Sequence, residues 1–187
     1  RNLHCGSGSH STFYLPMLPE PRVEPELVVH LYAKPEPGMD EDDLLACIDW
    51  IAAGFEIVFS VFPGWKFSAA DAAAAYGVHH GLFVGPDLVI SEDRRGFAKA
   101  LRSFAVELSS SAGQVRTGRA ADVLGGPIFA LKFLVEEIAR CGKSDPLQSG
   151  EIITTGTLTE AMPAVAGVTW TSSFAGIDLG PISLQIT

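Results

Sequence analysis

The chain has 187 residues, is 47% hydrophobic and 19% charged, and carries a formal net charge of −9. With a pI near 4.9 and a mean hydropathy of +0.25 it has the make-up of one packed globule, not of a disordered chain, and it lacks the basic surplus that a nucleic-acid partner requires. No apolar run approaches the ~20 residues of a membrane span, and three scattered cysteines, Cys5, Cys47 and Cys141, fit reduced thiols of a cytoplasmic protein rather than a disulfide framework or a metal cluster.

The chain opens RNLHCGSGSHSTFYLPMLPEP, without an initiator Met. The Gly/Ser stretch predicts a flexible or incomplete segment over 1–17, with a piece missing upstream, followed by a single domain over 18–187. Residues 27–32 are short and β-branched and predict a strand. Asp40 is placed to cap a helix with Asp43 as its N3 partner, so the acidic run 40–43 reads as a helix start and not a metal cluster. That helix is expected to bury Leu44, Ile48 and Ile51 and to stop at Gly54. FEIVFSVF (55–62) predicts a strand, WKFSAADAAAAYG a short helix, and GLFVGPDLVI a strand broken at Gly85-Pro86. Two strands around a Ser/Gly hairpin follow in 101–120. Pro127 can open a helix with the stripe Ile128, Leu131, Val135 and Ile138, stopped by Gly142. EIITTGTLTE, GVTWTSSFAG and ISLQI predict three closing strands. Many strands and few helices, without regular βαβ alternation, indicate an α+β fold with a mixed, mostly antiparallel sheet and peripheral helices.

The stretch RVEPELVVHL carries the first chemical signal. In a strand, Glu24 and Glu26 share a face with Val28 and His30, while Leu27, Val29 and Leu31 take the other. Two like charges on one face fit either a solvated strand end or a cation held between them. Glu56 sharpens the choice, because it sits inside FEIVFSVF, where an unpaired carboxylate is costly to desolvate. Three carboxylates without a Cys/His cluster describe an oxygen-donor site, for Mg²⁺ or Mn²⁺ before Zn²⁺. His30, on the same face, is read as a packing or supporting residue.

VEPEL, then FEIV with its Glu thirty residues after Glu26, then WKF with Trp65 nine residues after Glu56, resemble the motifs of the 2-keto-4-pentenoate hydratase / 4-oxalocrotonate decarboxylase family, within the fumarylacetoacetate hydrolase superfamily. LGGPIFALKFLVEEIARCG, GEIITTGTLTEAMPAVAG and FAGIDLGPISLQI follow the family's later motifs in the same order, so the resemblance runs from about Leu18 to the C-terminus. It implies a β-roll of the fumarylacetoacetate hydrolase C-terminal type, with Glu24, Glu26 and Glu56 as Mg²⁺ ligands. It also marks Lys66 and Asp71 in WKFSAAD as catalytic candidates, and Thr155, Gly156, Thr157 and Thr159 as a loop holding a substrate carboxylate. Where the family has a pocket serine, this chain reads AAAAYGVHHG, which makes His79 or His80 a candidate acid/base. The family's upstream Lys and acidic pair have no counterpart in the 23 residues before Glu24.

The implied activity is that of a divalent-metal-dependent lyase, a hydratase adding water to a 2-hydroxy-2,4-dienoate or 2-keto-4-pentenoate-like 2-oxo acid through a metal-stabilised enolate. A 4-oxalocrotonate-type decarboxylase is the alternative within the class. A member that keeps fold and metal but serves as a structural or assembly partner is the alternative outside it. The resemblance also implies a small-molecule 2-oxo acid as substrate, with neither nucleic acid nor membrane as partner. A homo-oligomer, or a complex with a related pathway enzyme, is the expected assembly.

Overall fold

Alternation along one ten-residue strand organises the molecule. The computed structural model describes residues 2–5, 8–90 and 93–187. At its centre, β3 (Arg22–Leu31) turns Val23, Leu27, Val29 and Leu31 inward, all of them fully buried. Glu24, Glu26, Val28 and His30 take the opposite face. Pro25 lies within this strand although it cannot donate to a ladder. Its carbonyl accepts the Leu158 N–H, so its missing donor faces the gap between β8 (Ile152–Thr157) and β9 (Met162–Pro163), the short strands flanking β3 on that side.

The helix predicted up to Gly54 ends much earlier. α1 (Glu41–Ala46) has the expected capping box of Asp40 and Asp43, but β4 (Ile48–Val58) begins two residues later and pairs antiparallel with β3. The reason is a bulge. His30 pairs with Trp50 and Leu31 with Ile48, which leaves Asp49 as the extra residue. With one residue bulged out, Ile48 and Ile51 both face the core of the sheet, and their spacing of three imitates a helical stripe. β-Branched residues and a full-length partner strand then decide for β.

Beyond β4, α2 (Ala69–Ala74) leads to β5 (His79–Val89), which runs through Gly85-Pro86 without a break. α3 (Arg94–Ser103) precedes a hairpin of β6 (Ala105–Ser110) and β7 (Val115–Arg119). α4 (Pro127–Cys141) starts at Pro127 and ends on a left-handed Gly142, as expected. β10 (Thr169–Ala175) and β11 (Ile182–Ile186) close the chain. The segment expected to be flexible contains β1 (Asn2–Cys5) and β2 (His10–Phe13). β1 pairs parallel with β5 and β2 parallel with β11, because each finds an open sheet edge whose backbone groups it satisfies.

Two sheets result, one of six strands in the order β1-β5-β4-β3-β8 with β9 also on β3, and one of five in the order β2-β11-β10-β6-β7. Apart from the two N-terminal pairings the ladders are antiparallel, so the mixed, mostly antiparallel α+β roll is the fold. Val23, Phe55, Ile57 and Phe83 meet Leu108, Trp170, Ile182 and Leu184 between the sheets. The other end of the same inner face, at Leu27, Val29 and Leu31, is covered by α1, α3 and α4. Cys47 is buried and Cys141 exposed, both as free thiols; the Cys5 side chain lies outside the described residues. Among the described residues no helix is long and apolar enough to cross a membrane.

Candidate metal centre

The outer face of the six-stranded sheet carries the acidic cluster. Glu24 is paired directly with Glu56 across the β3–β4 ladder, and Glu26 is paired with Gly54. Oxygens of all three carboxylates lie within 4.8 Å of one another. Like charges directly opposite in a ladder repel, and here the repulsion is sharpened by burial: Glu26 is 1% exposed and the Glu56 side chain 14%. Gly54 is fixed by space, since a Cβ there would lie 2.6 Å from Val28 Cγ2 and 3.2 Å from the Phe83 carbonyl oxygen.

Few groups offset this charge. The Gly156 N–H donates to Glu26 Oε2 at 2.7 Å, and His79 Nδ1 lies 2.7 Å from Glu56 Oε1. Arg22 acts on Glu24 while its guanidinium lies over the Trp65 ring, 4.3 Å from the centroid. The remaining imbalance appears as proton affinity. Burial, with the Glu56 charge adding to it, pushes the Glu24 carboxyl up to about 7. Burial pushes Glu26 well above the carboxylate range, with Glu56 and Glu24 in support and the Gly156 N–H opposing. Three converging carboxylates that the protein leaves under-compensated are the donor set of a hard divalent cation, and the residues present fit one.

Bulges aim the supporting groups. Glu26 pairs with Thr157 but Val28 with Thr154, so β8 bulges between them. Gly156 there has φ +111°, a conformation closed to residues with a side chain, and that turn points its N–H at Glu26. In β5, Ile57 pairs with Gly81 and Val58 with His79, which leaves His80 as the odd residue. His79 therefore reaches Glu56, while His80 packs edge-on against Phe13 and Phe59. Of the two candidate histidines, the structure brings His79 to the glutamates.

The other candidates separate. Asp71 is the N3 residue of α2, half-buried, with its carboxylate accepting the Ser68 N–H at 2.9 Å and the Ser68 hydroxyl at 2.8 Å. It is thus engaged in a capping box, as its S-x-x-D context dictates, and it is not brought into the cluster. Lys66 is exposed, next to a half-buried Trp65 whose indole N–H donates to the Glu20 carbonyl. In the loop, the buried Thr155 hydroxyl donates to the Leu27 carbonyl, Thr157 to the Thr159 carbonyl and Thr159 to the Glu160 carbonyl.

Beside the cluster lies an open cleft of about 890 Å³, lined by both candidate histidines, His79 and His80, and by Leu82, Ile152, Thr154 and Glu151 among others. Sequence reading missed Thr154. The alternation in IITTGT could have found it, since Thr154 pairs with Val28 and shares the glutamate face. His30, on that same face, stacks on Trp50 with centroids 4.8 Å apart and has Nδ1 2.6 Å from Asp49 Oδ1. It supports the sheet and stands apart from the cluster.

No family model matches the chain. The 2-hydroxyhexa-2,4-dienoate hydratase of Comamonas testosteroni is 29% identical over 169 residues, covering 90% of this chain and 61% of its own length. A 4-oxalocrotonate decarboxylase of a Pseudomonas species is 30% identical over 171 residues, covering 89% of this chain and 61% of its own. The chain thus spans about three fifths of these curated relatives. In three dimensions it matches the 4-oxalocrotonate decarboxylase from Pseudomonas putida G7, complexed with magnesium and adipate, with a TM-score of 0.83 and 25% identity over 99% of this chain and 66% of that one.

Proposed function

The chain belongs to the 2-keto-4-pentenoate hydratase / 4-oxalocrotonate decarboxylase family of the fumarylacetoacetate hydrolase superfamily, and on that premise we propose that it is a divalent-metal-dependent lyase of 2-oxo acids, a hydratase of 2-hydroxy-2,4-dienoates. The observation that carries the reading is the convergence of Glu24, Glu26 and Glu56 within 4.8 Å. These residues would hold Mg²⁺ or Mn²⁺. Bound there, such a cation supplies Lewis-acid charge to the neighbouring carboxylate and ketone oxygens of a 2-oxo acid.

The chain's own groups divide the remaining work. His79 presents Nδ1 to Glu56 and lines the cleft, so its Nε2 is the nitrogen left to hold or move a proton at the substrate. Thr157 and Thr159 can offer hydroxyl donors to a substrate carboxylate by turning away from their present acceptors. Thr155 and Gly156 shape the loop that carries them. The apolar side chains of Leu82, Ile152 and Ile153 offer the diene an uncharged surface to lie on.

The cleft favours the hydratase reading over decarboxylation of a 4-oxalocrotonate. Histidines apart, Glu151 is the one charged side chain among the described residues that line it. A second carboxylate on the substrate would meet an acid there and no cation, whereas an uncharged alkenyl end meets apolar side chains. The decarboxylase remains the second reading, on the strength of the fold match to such an enzyme. Assembly as a homo-oligomer, or with a related pathway enzyme, is part of the same proposal and is read by light scattering.

The test is to load the protein with Mg²⁺ and follow the ultraviolet absorbance of 2-hydroxypenta-2,4-dienoate and of 4-oxalocrotonate. Loss of the first without CO₂ supports the hydratase, and CO₂ from the second supports the decarboxylase. Turnover of neither, with the cation bound, points to a non-catalytic assembly role. A Glu26→Gln, Glu56→Gln double variant that binds Mn²⁺ as tightly as wild type would rule the metal site out.

A further inference from the structure

Gly118 has no place in the chemistry described so far, yet its backbone lies directly against the loop that serves the glutamates. It lies in β7, the edge strand of the five-stranded sheet. A Cβ built on it would lie 1.7 Å from the Leu158 carbonyl oxygen, 2.9 Å from the Leu158 carbonyl carbon and 3.3 Å from Thr159 Cγ2. The obstacle is backbone, so no change of rotamer relieves it, and either the strand or the loop has to move.

The loop is stitched to β3 at consecutive points. The Leu158 N–H donates to the Pro25 carbonyl at 2.9 Å, the Gly156 N–H to Glu26 Oε2 at 2.7 Å, and the Thr155 hydroxyl to the Leu27 carbonyl at 3.2 Å. Val123 backs it from the other side, since a Cβ on Gly156 would lie 3.3 Å from Val123 Cγ1. Arg116, two residues from Gly118, pairs with Glu160 at 2.9 Å just beyond the loop. A shift of Leu158 therefore travels through two residues to the Gly156 N–H that holds Glu26.

We propose that Gly118 is a positioning residue for the glutamate cluster: by leaving β7 without a side chain, it seats the 155–159 loop at the height that keeps the Gly156 N–H on Glu26. The structural claim stands on the contacts above, and its consequence for the cation rests on the metal reading of the site. A group that orients a metal ligand typically changes affinity by about tenfold or more when lost.

The experiment compares Gly118→Ala with Gly180→Ala, a position where an added Cβ meets nothing within 4 Å. Amide hydrogen exchange in the metal-free protein and Mn²⁺ binding by calorimetry are measured on both. Gly118→Ala should speed exchange at the Gly156 and Leu158 amides by roughly tenfold, the loss of about one hydrogen bond, and should weaken Mn²⁺ binding about tenfold. Gly180→Ala should change neither. A folded Gly118→Ala variant with wild-type exchange at Gly156, or with faster exchange and unchanged Mn²⁺ affinity, overturns the proposal. Should wild type itself bind no Mn²⁺, the metal reading fails and exchange at Gly156 alone decides whether Gly118 seats the loop. If Gly118→Ala does not fold, Arg116→Gln loosens the same seat from the surface. Faster exchange at both amides is then expected, and unchanged exchange overturns the proposal.

Discussion

Glu24 looks across the ladder at another glutamate, and the physical consequence is a pH dependence of stability with a definite sign. Its carboxyl is pushed up to about 7 from 4.5, first by burial and then by Glu56, and Glu26 moves in the same direction. Between about 4.5 and 7 the metal-free native state therefore keeps protons that the unfolded chain has released. The contribution of these two groups to stability is greatest below that window and falls as pH rises through it. The shift at Glu24 alone corresponds to about 3 kcal/mol. Urea midpoints of the metal-free protein should decline from about pH 4.5 to about pH 8, and Glu24→Gln should flatten the decline. Saturating Mg²⁺ should restore the midpoint at the upper end, because a cation there replaces the missing protons. A wild-type midpoint that rises with pH would contradict the assignment.

At the scale of the element, bulges decide which side chains belong to the site. One extra residue in β5 sends His79 to Glu56 and His80 to the aromatic packing around Phe13. His79→Ala should therefore weaken Mn²⁺ binding by about tenfold, as for other groups that orient a ligand. His80→Ala should leave Mn²⁺ affinity near wild type and lower the melting temperature instead. Calorimetric titration and thermal melts of both variants distinguish the roles. The same bulges set the limit on what the sequence reveals. Glu56 was legible because a carboxylate in an apolar run demands a partner, and the face shared by Glu24 and Glu26 follows from strand alternation alone. Asp49 was not legible, because its bulge gives Ile48 and Ile51 the spacing of a helix. α3 escaped because it buries only Phe97 and Leu101, too few residues for a visible stripe. The seat at Gly118 depends on a contact between β7 and a loop forty residues further on, which no local pattern encodes.

Across the whole molecule, one set of strands does two jobs on two faces. Val23, Phe55 and Ile57 lie on the reverse side of the sheet from Glu24 and Glu56 and are packed against the five-stranded sheet. The inter-sheet core thus determines whether β3 and β4 exist as a pair, while the groups that tune the cluster reach it from β5 and β8. This division predicts that damage to the core changes stability without changing affinity. Leu184, fully buried on β11, belongs to the inter-sheet core with Val23, Phe55 and Ile57, on the reverse side of the sheet from the glutamates. Leu184→Ala should cost about 2–5 kcal/mol through lost burial and a residual cavity, and lower the melting temperature by on the order of 10 °C. Measured well below that lowered melting point, its Mn²⁺ affinity should stay within roughly twofold of wild type, because the packing it loses lies on the face of the sheet opposite the glutamates. Gly118→Ala should show the reverse balance, with affinity falling further than stability. If Leu184→Ala weakens Mn²⁺ binding as much as Gly118→Ala does while still folded, the loop has no special hold on Glu26 and the two sheets must respond as one deformable unit.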